Sequence, residues 1–332
     1  MNRRQLGATG PLVSQVGLGC MAMSGIYGPT EDGESVATIQ EAIDQGINLL
    51  DTGDFYGMGQ NEILIGRAIE GRREKVLLSV KFGAMRAPSG VFTGVDTRPA
   101  AVKNFAAYSL RRLGVDYIDI YRPARLDPAV PIEETIGAIA ELVKEGYVRY
   151  IGLSEVSADT VRRASAVHPI VDMQIEYSLV TRGIEKHILP ALRELGIAVT
   201  AYGLLSRGLL SRSKLAAAND LRARFPRFMG ENLQWNMRLV ETLERIARDH
   251  DVTGTQLPIA WVLHQGGDIV PLLGSRTREQ LREAMGALHM NLSQKELGRI
   301  TEAVPAESVA GTRYDSGQMA VLDSERASKA TS

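Results

Sequence analysis

Eight short runs rich in Val, Ile and Leu recur along the chain, and longer stretches with amphipathic spacing separate them. The runs cover 15–19, 47–51, 76–81, 117–121, 150–154, 171–175, 198–202 and 269–273. Between them, 34–45, 132–144 and 279–287 carry apolar residues at three- and four-residue spacing, which predicts helices. The runs are continuous rather than alternating, so they expect burial on both faces, as in a parallel sheet wrapped by helices. Eight such units make an α/β protein of the (β/α)8 or TIM-barrel class. Gly7 and Gly10-Pro11 lie between short runs at 3–14 and predict a β-hairpin ahead of the barrel. A dinucleotide-binding domain followed by a second domain is the competing architecture, since Gly17-Leu-Gly19-Cys-Met-Ala22 matches G-x-G-x-x-A after a strand. That pattern has to open a helix, and Ser24-Gly25 and Gly28-Pro29 cannot continue one.

The expected organisation is one domain over 1–332, with a core of about 3–304 and a partly mobile tail at 305–332, poor in large apolar groups, whose first half can fold over the barrel mouth. Residues 203–230, with Gly203, Gly208, Pro226 and Gly230, exceed the usual connection length, and loops of this kind are commonly functional lids. Charge is balanced, with 38 Lys+Arg against 39 Asp+Glu and no long single-sign block, which argues against nucleic acid or a membrane surface as partner. No run approaches the ~20 apolar residues of a membrane span, and the N-terminus lacks the apolar region of a signal peptide. Cys20 is the single cysteine, so no internal disulfide is expected, and no Cys/His spacing predicts a metal site. A soluble, unprocessed cytoplasmic protein is the expectation. No self-complementary stripe defines an oligomer.

Active sites of such barrels gather at the carboxyl ends of the strands. The residues standing there are Cys20-Met21, Asp51, Lys81, Ala124, Ser154-Glu155, Gln174, Tyr202 and Gly274-Ser275-Arg276. Asp51-Thr-Gly-Asp-Phe-Tyr56 and Ser79-Val-Lys81 each mark a change from apolar strand to polar residues, so Asp51, Tyr56 and Lys81 should meet at one rim. An ammonium beside a phenol favours its ionised form, and a carboxylate would keep Lys81 charged and in place, which makes a proton-transfer set. A surface Lys-Asp pair after two strands reads the same way. A barrel lysine can also form a Schiff base, but Lys81 would have to lose the proton that Asp51 helps it keep.

Further motifs are Gly152-Leu-Ser154-Glu155, Gln174-Ile-Glu176-Tyr177-Ser178, Pro226-Arg227-Phe228 with Gly230-Glu231-Asn232-Leu233, and Trp261-Val-Leu-His264-Gln265-Gly266. With Asp51, Tyr56 and Lys81 they make the chain resemble the aldo-keto reductases from about residue 3 to 304, within them the branch of bacterial YakC-type enzymes and plant perakine reductase. The resemblance implies reduction of aldehydes or ketones with NADPH and no metal, Tyr56 protonating the carbonyl oxygen while Lys81 and Asp51 tune it. It also implies that Tyr202 stacks under the nicotinamide, although a core aromatic capping the barrel is the structural alternative. Ser154 and Gln174 match carboxamide contacts, and Cys20, Met21 and Asp51 line the same end. Gly203, Leu204, Ser206 and Gly208 match the pyrophosphate loop. At the phosphate end, Gly274, Ser275 and Arg276 stand where a strand passes into a helix, a favourable place for an anion, and Arg276 can clamp a 2′-phosphate. Gln280 and Glu283 match adenosine contacts, while Ala284 replaces a common Asn.

One departure concerns the chemistry itself. Most of the family carries a histidine after the fourth strand in a Tyr-x-Leu-His-Arg-x-Asp-Pro stretch, and here Tyr121-Arg122-Pro123-Ala124-Arg125-Leu126-Asp127-Pro128 puts Ala124 at that position. Either the remaining set suffices, with the space above Ala124 admitting a bulkier carbonyl or an ordered water, or the protein binds NADPH as a sensor or regulatory subunit with little turnover. Strand alternation puts Arg122 on the inward face if Ile118 and Ile120 face inward, unless Pro123 bends the strand end and turns it to the helices or solvent; inside, a guanidinium needs a carboxylate, with Asp51 and Glu176 the candidates, and its charge should favour tyrosinate at Tyr56. Met23, Tyr56 and Ala124 are the expected substrate contacts. Met23, Tyr27, Phe82, Met85, Phe92 and Phe228, in loops 21–27, 82–93 and 203–230, suggest an apolar pocket.

Overall fold

Each of the eight apolar runs forms a strand in the computed structural model, which describes residues 1–213 and 220–326. A hairpin comes first, β1 (Arg3–Gln5) antiparallel to β2 (Leu12–Ser14). The barrel strands are β3 (Gly17–Gly19), β4 (Leu49–Gly53), β5 (Leu77–Phe82), β8 (Ile118–Pro123), β9 (Val148–Ser154), β10 (Ile170–Glu176), β11 (Ala198–Tyr202) and β12 (Ile269–Gly274). They pair in chain order, all parallel, and β12 closes on β3. Loop 82–93 holds an unanticipated hairpin, β6 (Ala84–Arg86) with β7 (Phe92–Val95). Helices fill the connections. Pro99 opens Pro99–Leu113, and Gly114 ends it at φ 67°, a conformation glycine adopts without a Cβ penalty.

Residues of one parity face the barrel axis and form layers. The lowest is apolar, with Leu49, Ile120, Ala198, Val270 and Leu272, and Leu6 and Val13 of the hairpin region close it from below. Above it Ser79, Arg122, Asp172 and Thr200 form a buried polar layer. Asp51, Lys81 and Gln174 lie above that. Arg122 does point inward, fully buried, but its carboxylate is Asp172 at 2.8 Å, not Asp51 or Glu176. The reason is the intervening strand: β9 presents Gly152, whose absent side chain lets Arg122 reach across to β10. A Cβ there would lie 2.6 Å from Asp172 Oδ1 and 3.0 Å from Arg122 Cζ. Pro123 continues β8 without turning Arg122 away.

Residues 305–326 return over the carboxyl ends of the strands. Asp323 accepts hydrogen bonds from Ser157 N at 2.8 Å and Thr160 Oγ1 at 2.7 Å, at the start of helix Ala158–Val167. Buried Arg313 inserts against Glu155. The mobility expected of the tail's far end falls on 327–332, and part of the expected lid on 214–219, both outside the described residues. Among the described residues, no helix is long and apolar enough to cross a membrane.

Candidate active site

Adjacent parallel strands bring the proton-transfer set together. The β4–β5 register sets Asp51 opposite Ser79 and Gly53 opposite Lys81. Lys81 Nζ is 2.5 Å from Asp51 Oδ1, and both side chains are buried. The other oxygen, Asp51 Oδ2, accepts from Ser79 Oγ at 2.9 Å and Gln174 Nε2 at 2.7 Å. Arg122 Nη2 donates to that same Ser79 Oγ at 2.9 Å, so the carboxylate is held from both sides and from below. Burial draws the Lys81 pKa down, Asp51 opposes it, and Arg122 adds a smaller downward push.

Tyr56 opens the turn after β4, and Lys81 Nζ lies 5.1 Å from its ring centroid. Its hydroxyl has no hydrogen-bond partner among the described residues. The ammonium was expected to favour tyrosinate, yet the net effect is the reverse: burial first, and then Asp51, hold the Tyr56 pKa well above the ordinary phenol value. Among the strongest influences on Tyr56 the cation pulling downward is Arg125, not Arg122, whose charge is spent on Asp172 one layer below. The phenol therefore keeps its proton near neutral pH.

At the mouth, Tyr202 donates to Glu155 Oε1 at 2.7 Å and lies 3.1 Å from the Tyr314 hydroxyl. Its ring packs partly against the barrel's apolar cluster and remains partly exposed, so core packing and a rim position coexist. Glu155 takes φ 54°, a costly conformation for a residue with a Cβ, and is clamped by Arg313 at 2.8 and 2.5 Å and by Ser324 Oγ at 2.6 Å. Arg313 first, with Arg125 and the Ser324 hydroxyl, outweighs its burial and holds its pKa far below the carboxylate range. Three guanidiniums, Arg207, Arg227 and Arg313, approach Glu176 at 3.2–3.5 Å. Ser206 and Arg207 take φ 45° and 56° ahead of Gly208, so the loop after β11 is strained where the pyrophosphate was expected.

Several expected cofactor contacts have free valences. Ser154 Oγ and Ser275 Oγ are buried with no hydrogen-bond partner, and nothing crowds the position a Cβ on Gly274 would take. Thr277 caps helix Arg278–Met285 by accepting from Gln280 N, and among the described residues the Arg276 guanidinium donates only to the Tyr27 carbonyl, at 3.1 Å. Neighbouring Arg278 and Arg282 are instead neutralised by Glu34 and Glu41. Gln280 Oε1 accepts from Arg276 N, and the Glu283 carbonyl accepts from Gln256. Cys20 is sealed in the core, where burial pushes its thiol pKa up, and its backbone N donates to the Asp51 carbonyl while its own carbonyl accepts from Asn61 Nδ2; Met21 and Met23 follow in a short 3-10 turn. Gly203 and Leu204 begin the loop after β11.

The apolar pocket is narrower than the sequence suggested. Phe82 stacks on Tyr121 at 4.3 Å and packs toward Phe105, on the helix side of the barrel, because it has the outward parity of β5. Met85 and Phe92 are exposed on the β6–β7 hairpin. Arg125 and Tyr314 were missed. Arg125 lies past the strand end, where alternation says nothing, and the signal for Tyr314 was an Arg-Tyr pair in a tail otherwise poor in large side chains.

A closed parallel barrel with Asp, Lys and Tyr at its carboxyl rim defines a class of barrel enzymes capable of proton transfer. The family model described as "Aldo/keto reductase family" matches residues 15–305, and the chain belongs to that family, whose members are NADP(H)-dependent oxidoreductases acting on carbonyl groups. It is 43% identical over 319 residues to probable aldo-keto reductase 1 of Glycine max, covering 94% of this chain and 92% of that one. Among solved structures, glycerol dehydrogenase AKR11B4 from Gluconobacter oxydans superimposes with a TM-score of 0.84 at 29% identity, over 93% of this chain and 97% of that one. The holo form of aldo-keto reductase AKR11C1 from Bacillus halodurans gives 0.76 at 30% identity, over 92% and 97%.

Proposed function

We propose that this chain reduces aldehydes or ketones to alcohols with NADPH, Tyr56 acting as the general acid and Lys81 with Asp51 tuning it. The observation that carries this reading is the buried Lys81–Asp51 pair, fixed by Ser79 and Gln174 beneath a phenol that keeps its proton. A surface Lys–Asp pair would need no such support. Ser154, Gln174 and Tyr202 would hold the nicotinamide end and the strained Ser206–Gly208 turn the pyrophosphate. Gly274, Ser275 and Arg276 would hold the 2′-phosphate, with Gln280 and Glu283 beside the adenosine. The unpartnered Ser154 and Ser275 hydroxyls, and Arg276 with no carboxylate partner among the described residues, fit such a ligand.

When bound, NADPH supplies the hydride that the carbonyl carbon accepts. The chain's task is the proton. Tyr56 donates it to the carbonyl oxygen, and the positive charge of Lys81 stabilises the tyrosinate left behind. Asp51 keeps the ammonium charged and oriented, and its own second oxygen is already satisfied, so little reorganisation accompanies the transfer. Ala124, buried beside Arg125, presents only a methyl at the histidine position, and it would bound the substrate together with Met23 and Tyr56.

The test is NADPH oxidation followed by absorbance, with a panel of aromatic and aliphatic aldehydes and Tyr56→Phe in parallel. Turnover that Tyr56→Phe abolishes supports the reductase. Tight NADPH binding by fluorescence with no aldehyde or ketone reduced would refute it in favour of a sensor or regulatory subunit.

A further inference from the structure

Among the described residues, Arg125 is the cation acting on Tyr56 that has neither a carboxylate partner nor a role in the chemistry above. Its Nη1 donates to the Ala124 carbonyl at 2.7 Å and its Nη2 to the Tyr314 hydroxyl at 3.3 Å; no carboxylate among the described residues comes within ion-pair distance. The contrast with its neighbours is sharp. Arg313 is neutralised by Glu155, Arg207 and Arg227 approach Glu176, and Arg122 pairs with Asp172. A guanidinium half-withdrawn from water and left unpaired costs free energy unless something else meets its charge.

Phenols lie closest to it, while Glu155, already clamped by Arg313, acts on it only through space. Tyr314, held by Arg125, contacts the Tyr202 hydroxyl at 3.1 Å, and Arg125 acts through space on Tyr314, Tyr202 and Tyr56. The side chain therefore bonds the phenol that touches the ring expected beneath the nicotinamide, and its charge reaches the phenol expected to give up its proton. It is also anchored by the carbonyl of Ala124, the very residue whose methyl stands where an imidazole would complete the site.

We propose that Arg125 is a catalytic residue of this reductase, its guanidinium donating a hydrogen bond to the substrate's carbonyl oxygen and so doing the work of the absent imidazole. The inference rests on the reductase reading. The donors not used by Ala124 and Tyr314 have no acceptor among the described residues, and the planar cation can orient an oxygen while offsetting the negative charge that develops on it and on Tyr56. No proton leaves Arg125; the proton transferred is that of Tyr56. A guanidinium stays charged over the whole working pH range, whereas an imidazole titrates near neutrality. Rate should therefore show no neutral limb from this donor.

The experiment uses the full chain with NADPH and 4-nitrobenzaldehyde, comparing wild type, Tyr56→Phe, Arg125→Ala, Arg125→Lys and the double variant Arg125→Ala/Ala124→His across pH 5–9. Arg125→Ala is expected to lower kcat about 10²–10³-fold, the usual cost of removing one oxyanion donor, with NADPH affinity by fluorescence changed less than about threefold. Added guanidinium ion should restore about tenfold or more, and the double variant should recover activity with a new limb near the imidazole pKa of about 6.5. Arg125→Lys, which keeps a cation and most of the stem, should retain more than Arg125→Ala and guards against loss of fold. If Arg125→Ala keeps kcat within about threefold of wild type, or its loss responds neither to guanidinium nor to the histidine, the proposal is wrong while the reductase reading stands. A wild type as inert as Tyr56→Phe overturns both.

Discussion

Replacing Arg122 by Met leaves Asp172 as a charge in the barrel interior with only Thr200 to bond it. Arg122 and Asp172 are both fully buried at 2.8 Å, and removing one partner of such a pair costs about 3–5 kcal/mol because the other stays desolvated and unneutralised. Asp172→Leu should cost a similar amount by stranding the guanidinium. The double variant Arg122→Met/Asp172→Leu removes both charges and fills the volume, leaving Thr200 without its acceptor, a loss of about 1–3 kcal/mol. It should therefore be no less stable than either single variant, and more stable by about 1 kcal/mol or more. Arg122 Nε and Asp172 Oδ1 are buried without partners, so the pair is imperfectly satisfied, the condition under which apolar replacement comes closest to neutral. Urea denaturation followed by fluorescence and circular dichroism measures all three, with coincident transitions required before free energies are compared. Single variants costing under about 1 kcal/mol, or a double variant as unstable as the two singles added, would refute the reasoning.

The same layer predicts that Gly152→Ala costs about 1–3 kcal/mol by overpacking, since its methyl would meet Asp172 Oδ1 at 2.6 Å; the cost should shrink in the Arg122→Met/Asp172→Leu background, read again from urea midpoints. Asp54 supplies a pH test. Burial first, then Glu62, pushes its pKa up to about 7, so the folded state holds a proton that the unfolded state, near 3.8, has released; the resulting stability is present at low pH and lost as pH rises through about 7. Over that window wild type should lose at most about 4 kcal/mol that Asp54→Asn does not, and parallel pH–stability curves for the two would dismiss the assignment.

How far the sequence reached depends on whether a residue's place is set by its own strand or by a distant one. Val, Ile and Leu runs report burial directly, so eight strands and their carboxyl ends could be read, and with them Asp51, Lys81, Ser154, Gln174 and Tyr202. Parity within β8 also sent Arg122 inward. Its partner was beyond reach, because choosing Asp172 over Asp51 required knowing that Gly152 leaves a gap in the strand between. Phe82 was misplaced for a related reason: an aromatic in a loop list looks like a pocket until the strand extends one residue further and its parity turns it to the helices. Beyond the last strand residue no periodicity operates. Arg125 turns back onto the Ala124 carbonyl and meets Tyr314, 189 positions away, and Glu155 owes its charge state to Arg313 in the tail. The apolar runs thus encode where the rim is, while the electrostatics of the rim are encoded in long-range Arg, Tyr and Glu pairs. Ala124 is visible in the sequence as a single residue; that its neighbour Arg125 bonds Tyr314 is visible only once the tail has folded over the mouth.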